Sequence, residues 1–365
     1  MSICGDSEYA SLRKVSCPRH YPGKVFVVMK RELGSLAKHR AYLGKPPKKG
    51  SVVPFPCKPA EVFAAQVKGL AARLKAIKCR DVVIGLSGGL DSTLALLVAD
   101  AAFAKLGYDK KGIHVYTMPG FGTSKRTKGN ADLLCEGLGL KLETISVVKS
   151  VRQHLKDIGH DGRTPDVTYE NAQARMRTMI LMDKANMTGG IVIGTGDLSE
   201  IALGWSTYNG DHMSMFAVNN DVPKTVVRKV CQWWCDRSRS GKDSASPLGK
   251  AASAVQDIID TPVSPELVKG QVTEDKIGPY ELHDFFLWNF IMNEMGPKDL
   301  QKAAERFFAG RFRAAEIAKT LQTFMRRFFT QAFKRNCQPD GIRVFPFELS
   351  LHGWWIPSDL GFVRL

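Results

Sequence analysis

The run Asp81-Val-Val-Ile-Gly-Leu86, followed at once by Ser87-Gly88-Gly89-Leu90-Asp91-Ser92, limits what this chain can fold into more than any other segment. Its short continuous apolar stretch suits a strand covered on both faces in a parallel sheet. After the Ser-Gly-Gly turn the period changes, and Leu94, Leu97, Val98 and Ala101 fall on one stripe of a helix. The unit is strand, loop, helix. Open α/β sheets bind ligands where such a loop leaves the carboxyl end of a strand.

Similar alternations follow. Ile113 to Thr117, Lys141 to Val147 and Gly190 to Thr195 read as strands; Lys128 to Leu138 and Tyr169 to Asn186 read as helices. Upstream, Val62, Phe63, Val67, Leu70 and Leu74 recur at helical spacing from Pro59. The pattern predicts a doubly wound parallel α/β sheet. Beyond Pro223, a candidate first-turn proline, it becomes mostly helical. Ser238 to Ala254 reads as a polar loop, Tyr280 to Phe333 as two or three amphipathic helices, and the stretch from Pro339 as irregular. The expected division is a basic extension over 1–58, with one extended candidate at Lys24 to Met29, a main domain over 59–345, and a tail over 346–365.

Charge first suggests a polyanionic partner, since 52 Lys and Arg face 36 Asp and Glu for a balance of +16 over 365 residues. Residues 1–80 carry 17 basic and 4 acidic side chains, so +13 of the excess lies there. The arm shows neither aromatic interleaving nor a zinc pattern, which argues against nucleic acid as the partner. Eight scattered cysteines without a CxxC pair, and no secretory apolar region, predict a reducing, cytoplasmic setting. Cys231 and Cys235 sit on a predicted helix beside Trp233 and Trp234 and read as packing residues. No apolar run reaches the ~18–20 residues that span a bilayer, so no membrane association is expected.

The Ser87 to Ser92 loop has the chemistry of a phosphate cradle. Its two glycines permit positive φ and close approach, and the first-turn amides and dipole of the helix favour an anion. Ser87 and Ser92 add hydroxyls. Asp91 is the informative residue, because a carboxylate beside phosphate is repulsive unless a divalent cation lies between them. The plainer alternative is a strand-to-helix turn that Asp91 caps. The string has neither the GxxxxGK[ST] nor the GxGxxG form.

The SGGxDS string resembles the pyrophosphatase-type loop (PP-loop) of the N-type ATP pyrophosphatases, whose fold is of the adenine nucleotide α-hydrolase type. Tyr169-Glu-Asn-Ala-Gln-Ala-Arg-Met-Arg177, the stretch Ile193 to Met213, and Pro223-Lys224-Thr225 resemble NAD synthetase, specifically the synthetase domain of the glutamine-dependent type. Met118 to Thr127, Thr273 to Phe286 and Phe333 to Gly341 resemble the same family in the same order. The resemblance covers about residues 52–345.

It implies ATP-dependent amidation of nicotinic acid adenine dinucleotide (deamido-NAD) through an acyl-adenylate, with Mg2+ as cofactor and ATP as co-substrate. It places ATP on Gly85, Leu86, Ser87, Gly88, Gly89, Leu90, Asp91, Ser92, Arg175, Thr195 and Lys224, with Asp91 and Lys224 catalytic and Asp91 and Glu200 holding the metal. Deamido-NAD would meet Asn171, Glu200, Trp205, Ser206, Thr207, Tyr208 and Lys334. Each has a plainer alternative: a solvated carboxylate for Glu200, a helix cap for Thr195, a surface stripe for Asn171 and Arg175, core packing for Trp205, solvated lysines for Lys224 and Lys334. His212 lies in a matched segment without an assigned role.

The glutamine-dependent relatives carry an N-terminal glutaminase, whereas only about 58 residues precede the match here, too few for such a core. Cys4, Cys17 and Cys57 are therefore not read as its nucleophile. Free ammonia, or ammonia from a separate glutaminase partner, is the expected nitrogen source. A homodimer or higher homo-oligomer is implied by the resemblance. The contrasting reading is a PP-loop relative that acts on RNA through its basic arm.

Overall fold

The computed structural model describes residues 52–350, apart from 124, 240–245, 263, 265, 266 and 268–271 and the side chains of 125, 127 and 128. The predicted strand at Lys24–Met29, residues 1–51 of the basic extension and residues 351–365 of the tail lie outside the described residues. Five strands form one parallel sheet: β1 (Val82–Gly85), β2 (Ile113–Thr117), β3 (Leu142–Thr144), β4 (Ile191–Gly194) and β5 (Phe216–Ala217). Their spatial order is β3-β2-β1-β4-β5. From β1 the chain moves outward to β2 and β3, then returns to place β4 on the other side of β1. The direction of winding therefore reverses between β1 and β4, the switch point at which open α/β sheets bind ligands.

β1 is buried as its composition requires, with Val82, Val83 and Ile84 wholly inaccessible. Helix α2 (Leu90–Leu106) packs on it, as does α5 (Val167–Thr188). α2 also packs against α1 (Pro59–Ala76) and α7 (Lys224–Arg239), which explains why it is buried nearly all round rather than along the single predicted stripe. α1 begins with Pro59 and turns Val62, Val67, Leu70 and Leu74 inward. No helix among the described residues is long and apolar enough to cross a membrane.

Several expectations need correction. Lys141 to Val147 forms a ladder only at Leu142–Thr144; beyond it single bonds continue, from Ile145 N–H to the Thr117 carbonyl (2.9 Å) and from Val147 N–H to that of Pro119 (3.1 Å). Helix α4 (Val148–Asp157) was not anticipated, because only Val151 and Leu155 are buried in an otherwise polar stretch. Within the segment read as a polar loop at Ser238 to Ala254, residues 247–254 are the first part of helix α8 (Pro247–Ile259), capped by Ser246, whose hydroxyl accepts the Gly249 N–H. Its small residues are a packing face: a Cβ on Gly137 of helix α3 (Lys125–Leu138) would lie 2.6 Å from Ala251 Cβ. Alanine is also the strongest helix former, so a composition that looks like a linker makes a close helix pair.

The C-terminal region holds helix α6 (Leu198–Leu203), α9 (Thr273–Ile277), α10 (Tyr280–Met292), α11 (Pro297–Phe307), α12 (Ala314–Thr330) and the short α13 (Ala332–Arg335), α6 preceding the others in the chain. α10 is buried on every side rather than amphipathic, since α6, α7, α11 and α12 all pack on it. Trp288 at its centre meets Phe55, Phe345 and Phe347 at centroid separations of 5.0–6.2 Å. The compact body thus begins before residue 59 and continues past 345. Phe55→Ala should cost about 3–5 kcal/mol. Chemical denaturation would check this, and a loss under about 1 kcal/mol would show that Phe55 is not part of the core.

Candidate active site

At the C-terminal end of β1 the chain makes the predicted turn. Gly88 has φ 78°, in the left-handed region that glycine enters without strain. The Ser87 and Ser92 hydroxyls lie 3.0 Å apart; Ser92 Oγ accepts the Ser87 N–H (3.2 Å), and Ser87 Oγ accepts that of Gly89 (3.1 Å). Ser92 is buried and braces the loop, whereas Ser87 is exposed. Leu86 and Leu90 turn their side chains into the core, and the Leu86 N–H donates to the Tyr116 carbonyl (2.8 Å), which ties the start of the loop to β2. α2 starts after Gly89 with no side chain capping it, so its first-turn amides remain available to an anion. Asp91 is not the cap.

The Asp91 carboxylate instead meets Lys224 at the start of α7. Lys224 Nζ lies 2.5 Å from Asp91 Oδ2, 2.9 Å from Asp197 Oδ2 and 2.9 Å from Glu200 Oε1. Asp197 and Glu200 arrive from the loop after β4 and the first turn of α6, where they form a capping box: Glu200 N–H donates to Asp197 Oδ1 (2.8 Å) and Asp197 N–H to Glu200 Oε2 (3.4 Å). The cap that sequence allowed for Thr195 thus belongs to Asp197. The two loops meet because β1 and β4 are neighbours at the switch point.

Lys224 is only 3% exposed. Burial works against its charge, but the three carboxylates outweigh burial and hold the ammonium well above the usual lysine range. Its backbone is anchored too: Lys224 N–H donates to Ser199 Oγ (2.8 Å), Ser199 donates to Asp284, and Asp284 accepts Thr225 N–H (2.9 Å). Burial pushes Asp284 up to about 6. The Tyr280 ring lies 5.3 Å from Lys224 Nζ.

With all four groups ionised, three carboxylates against one ammonium leave a formal charge of −2. Asp91, Asp197 and Glu200 each offer an oxygen within 4.8 Å of the others, and Asp91 Oδ1 is buried with no hydrogen-bond partner. Oxygen donors, surplus negative charge and an orphaned carboxylate oxygen together suit a hard divalent cation. Asp197 was not among the residues picked out from sequence. Its signal was available in the Asp-x-x-Glu capping spacing directly after a strand.

Burial pushes Glu200 up to about 7, with Lys224 opposing and Asp91 adding to the shift. An unfolded glutamate ionises near ~4.3. The folded state therefore binds the extra proton between these values, and Glu200 lowers stability progressively as pH rises through that window, fully so above it. In EDTA, the melting temperature of Glu200→Gln minus that of wild type should increase from pH 5 to pH 8. A flat difference would refute the shift.

A cleft adjoins the cluster, lined among others by Glu200, Ser206, Asp211, His212, Lys334 and Arg335. Of the matched segment 205–208, Ser206 reaches its lining. Thr207 donates to Asn171 Oδ1 (2.8 Å), and Arg175 Nε donates to the Tyr208 carbonyl (3.2 Å), so Asn171 and Arg175 both hold this segment from α5. Tyr208 stacks on His212 at 5.4 Å and meets Phe333 at 5.5 Å. Asn209 N–H donates to His212 Nδ1, which leaves the imidazole proton on Nε2, facing the Lys334 carbonyl. Trp205 is half-buried beneath the Arg327 guanidinium, 4.9 Å from its ring centroid. Lys334 Nζ donates to the carbonyls of Gly204 (2.8 Å) and Ser206 (2.6 Å), and burial pushes its pKa down. Arg327 and Arg335 donate to the carbonyls of Leu203, Gly204 and Ala202. Cys231 and Cys235 are fully buried, as the packing reading expects.

A family model described as NAD synthase matches residues 62–319. The chain belongs to the NAD synthase family. The glutamine-dependent NAD(+) synthetase of Mycobacterium tuberculosis is 38% identical over 329 residues, covering 82% of this chain and 47% of that protein. Its Thermotoga maritima counterpart is 34% identical over 251 residues, covering 68% and 41%. The chain spans about half the length of the curated relatives it matches. Among solved structures, a glutamine-dependent NAD(+) synthetase from Cytophaga hutchinsonii aligns with TM-score 0.62 at 18% identity, over 82% of this chain and 54% of that one. NMN synthetase from Francisella tularensis aligns with TM-score 0.53 at 26% identity, over 71% of this chain and 98% of that one. The NAD synthase match includes the Ser87 to Ser92 loop, the Asp197 to Glu200 turn and Lys224, so the geometry and the family coincide at one place.

Proposed function

We propose that this chain amidates deamido-NAD to NAD with ATP, releasing AMP and pyrophosphate, with ammonia as nitrogen donor. The observation that carries this reading is the carboxylate cluster around Lys224 set beside an uncapped helix N-terminus at the switch point. The nicotinate carboxylate oxygen attacks the α-phosphorus, the α–β anhydride bond breaks, and pyrophosphate leaves. Ammonia then attacks the acyl carbon of the adenylate; AMP leaves with the former carboxylate oxygen, and the nitrogen sheds a proton to solvent.

In this reading Gly88, Gly89 and the α2 amides receive phosphate oxygens, and Ser87 adds an exposed hydroxyl. Asp91, Asp197 and Glu200 would hold Mg2+, whose chemistry there is to neutralise charge on the leaving pyrophosphate. Lys224 supplies a buried positive charge on the same side. Deamido-NAD occupies the adjoining cleft beside Ser206, Asp211 and His212, with Asn171, Arg175 and Lys334 holding the 205–208 segment in place.

Purified protein given ATP, Mg2+, deamido-NAD and ammonium should form NAD and AMP in equal amounts. No NAD at high ammonium would overturn the reading. Formation of NAD from glutamine alone would overturn the ammonia assignment, and dependence on an added glutaminase would identify a separate partner. Nicotinic acid mononucleotide should be run in parallel, and its preference over deamido-NAD would reassign the substrate. A homodimer belongs to the same proposal, supported by Met179 and Met187 of α5, which are 52% and 76% exposed. Sedimentation should give the mass of two chains, and a monomer at micromolar concentration would exclude it.

A further inference from the structure

Asn219 lies just after β5, away from every phosphate-cradle residue in the chain, and it is wholly buried. Its side-chain amide nitrogen donates to the Asp91 carbonyl (2.9 Å) and to the Thr195 carbonyl (3.1 Å). One of these carbonyls belongs to the loop and helix after β1, the other to the loop after β4. The Asn219 Oδ1 accepts from Gln66 Nε2 (2.9 Å), and Gln66, also wholly buried on α1, donates to the Val218 carbonyl as well (3.0 Å). Reversing the Asn219 amide would set its oxygen against two carbonyls and its nitrogen against the Gln66 donor, so Gln66 fixes its direction.

We propose that Asn219, oriented by Gln66, is a positioning residue that sets the spacing between Asp91 and the Asp197–Glu200 pair. The sheet alone does not set it: the β1–β4 register covers Val82 and Val83 and ends two residues before the end of β1. Beyond that point Asn219 spans the two loops with both of its N–H groups. The spacing matters because a divalent cation shared by carboxylates from two loops tolerates little error in their separation. Partners one step behind metal ligands typically change metal affinity 10–100-fold when removed. This inference rests on the cation reading of the cluster.

The test measures Mn2+ affinity by electron paramagnetic resonance, with and without α,β-methylene ATP, alongside thermal midpoints. Asn219→Leu should weaken Mn2+ about tenfold, and Gln66→Met, which leaves the asparagine free to turn, about threefold. Gln66→Met added to Asn219→Leu should weaken it no further, because Gln66 acts through Asn219. Phe55→Ala serves as a remote destabilised control and should keep wild-type affinity. Unchanged affinity in Asn219→Leu, equal weakening in Phe55→Ala, or additive single effects would each overturn the proposal. So would absence of Mn2+ binding by the wild type under both conditions. Failure to form NAD with Mn2+ binding intact would instead count only against the proposed reaction. Should Asn219→Leu not fold, Gln66→Met alone decides, and unchanged affinity there refutes the role.

Discussion

Lys224→Met is expected to lower NAD formation by at least about 10³-fold. The substitution keeps most of the side-chain volume and removes the one positive charge that three buried carboxylates share. Breaking a buried pair by removing one partner typically costs about 3–5 kcal/mol, because the other charge is left without compensation. Here the remaining partners are Asp91, Asp197 and Glu200, and they would take up protons or demand more cation. The variant should therefore need more Mg2+ to reach a given melting temperature at pH 8 than at pH 6. Arginine is a poor replacement, since its planar fork does not fit a point where three carboxylates converge within 2.5–2.9 Å. Steady-state turnover within tenfold of wild type would remove Lys224 from the proposed mechanism.

Asp91→Asn should be nearly as damaging, with turnover reduced by about 10²–10³-fold. The choice of asparagine separates two roles. As a helix N-cap, asparagine is as good as aspartate, so a capping residue would tolerate the change. As a cation ligand beside phosphate it is not, because the neutral amide loses one charge and offers a single acceptor oxygen. Since α2 begins after an uncapped Gly89, the melting temperature should move little while turnover collapses. Turnover near wild type would return Asp91 to the plain turn residue that sequence also allowed.

The parts of this arrangement that were legible in sequence share one property: their signal is local. The apolar run at β1, the glycines after it, and the change of period at Leu94 each lie within a few residues, and the order of strands and helices follows from repeating that pattern. Asp91 stands out within the glycine loop itself, whereas Glu200 and Lys224 emerge only through the matched segments. Asp197 escaped although it stands three residues from Glu200, because its capping role and its place in the cluster look alike in sequence. Asn219 escaped for a different reason. Its partners are Gln66, Asp91 and Thr195, up to 153 residues away, and a buried asparagine has no pattern that separates it from a turn residue. Helix α8 reads as a loop in sequence because small residues that permit close packing against Gly137 resemble those of a flexible connection. α10 was expected to have a wet face, which four packed helices remove.

The turn that ends α6 draws its support from far along the chain. Leu203 and Gly204 present their carbonyls to Arg327 and Lys334, which follow them by 123–130 residues. Translation proceeds at about 5–20 residues per second, so those carbonyls wait about 6–26 s for their donors to be made. The sheet and the cradle after β1 have their residues well before that. A ribosome-bound chain would thus hold the turn after β1 before it holds the neighbouring cleft, and the segment that carries Trp205 and Tyr208 would be among the last features of the newborn protein to become rigid.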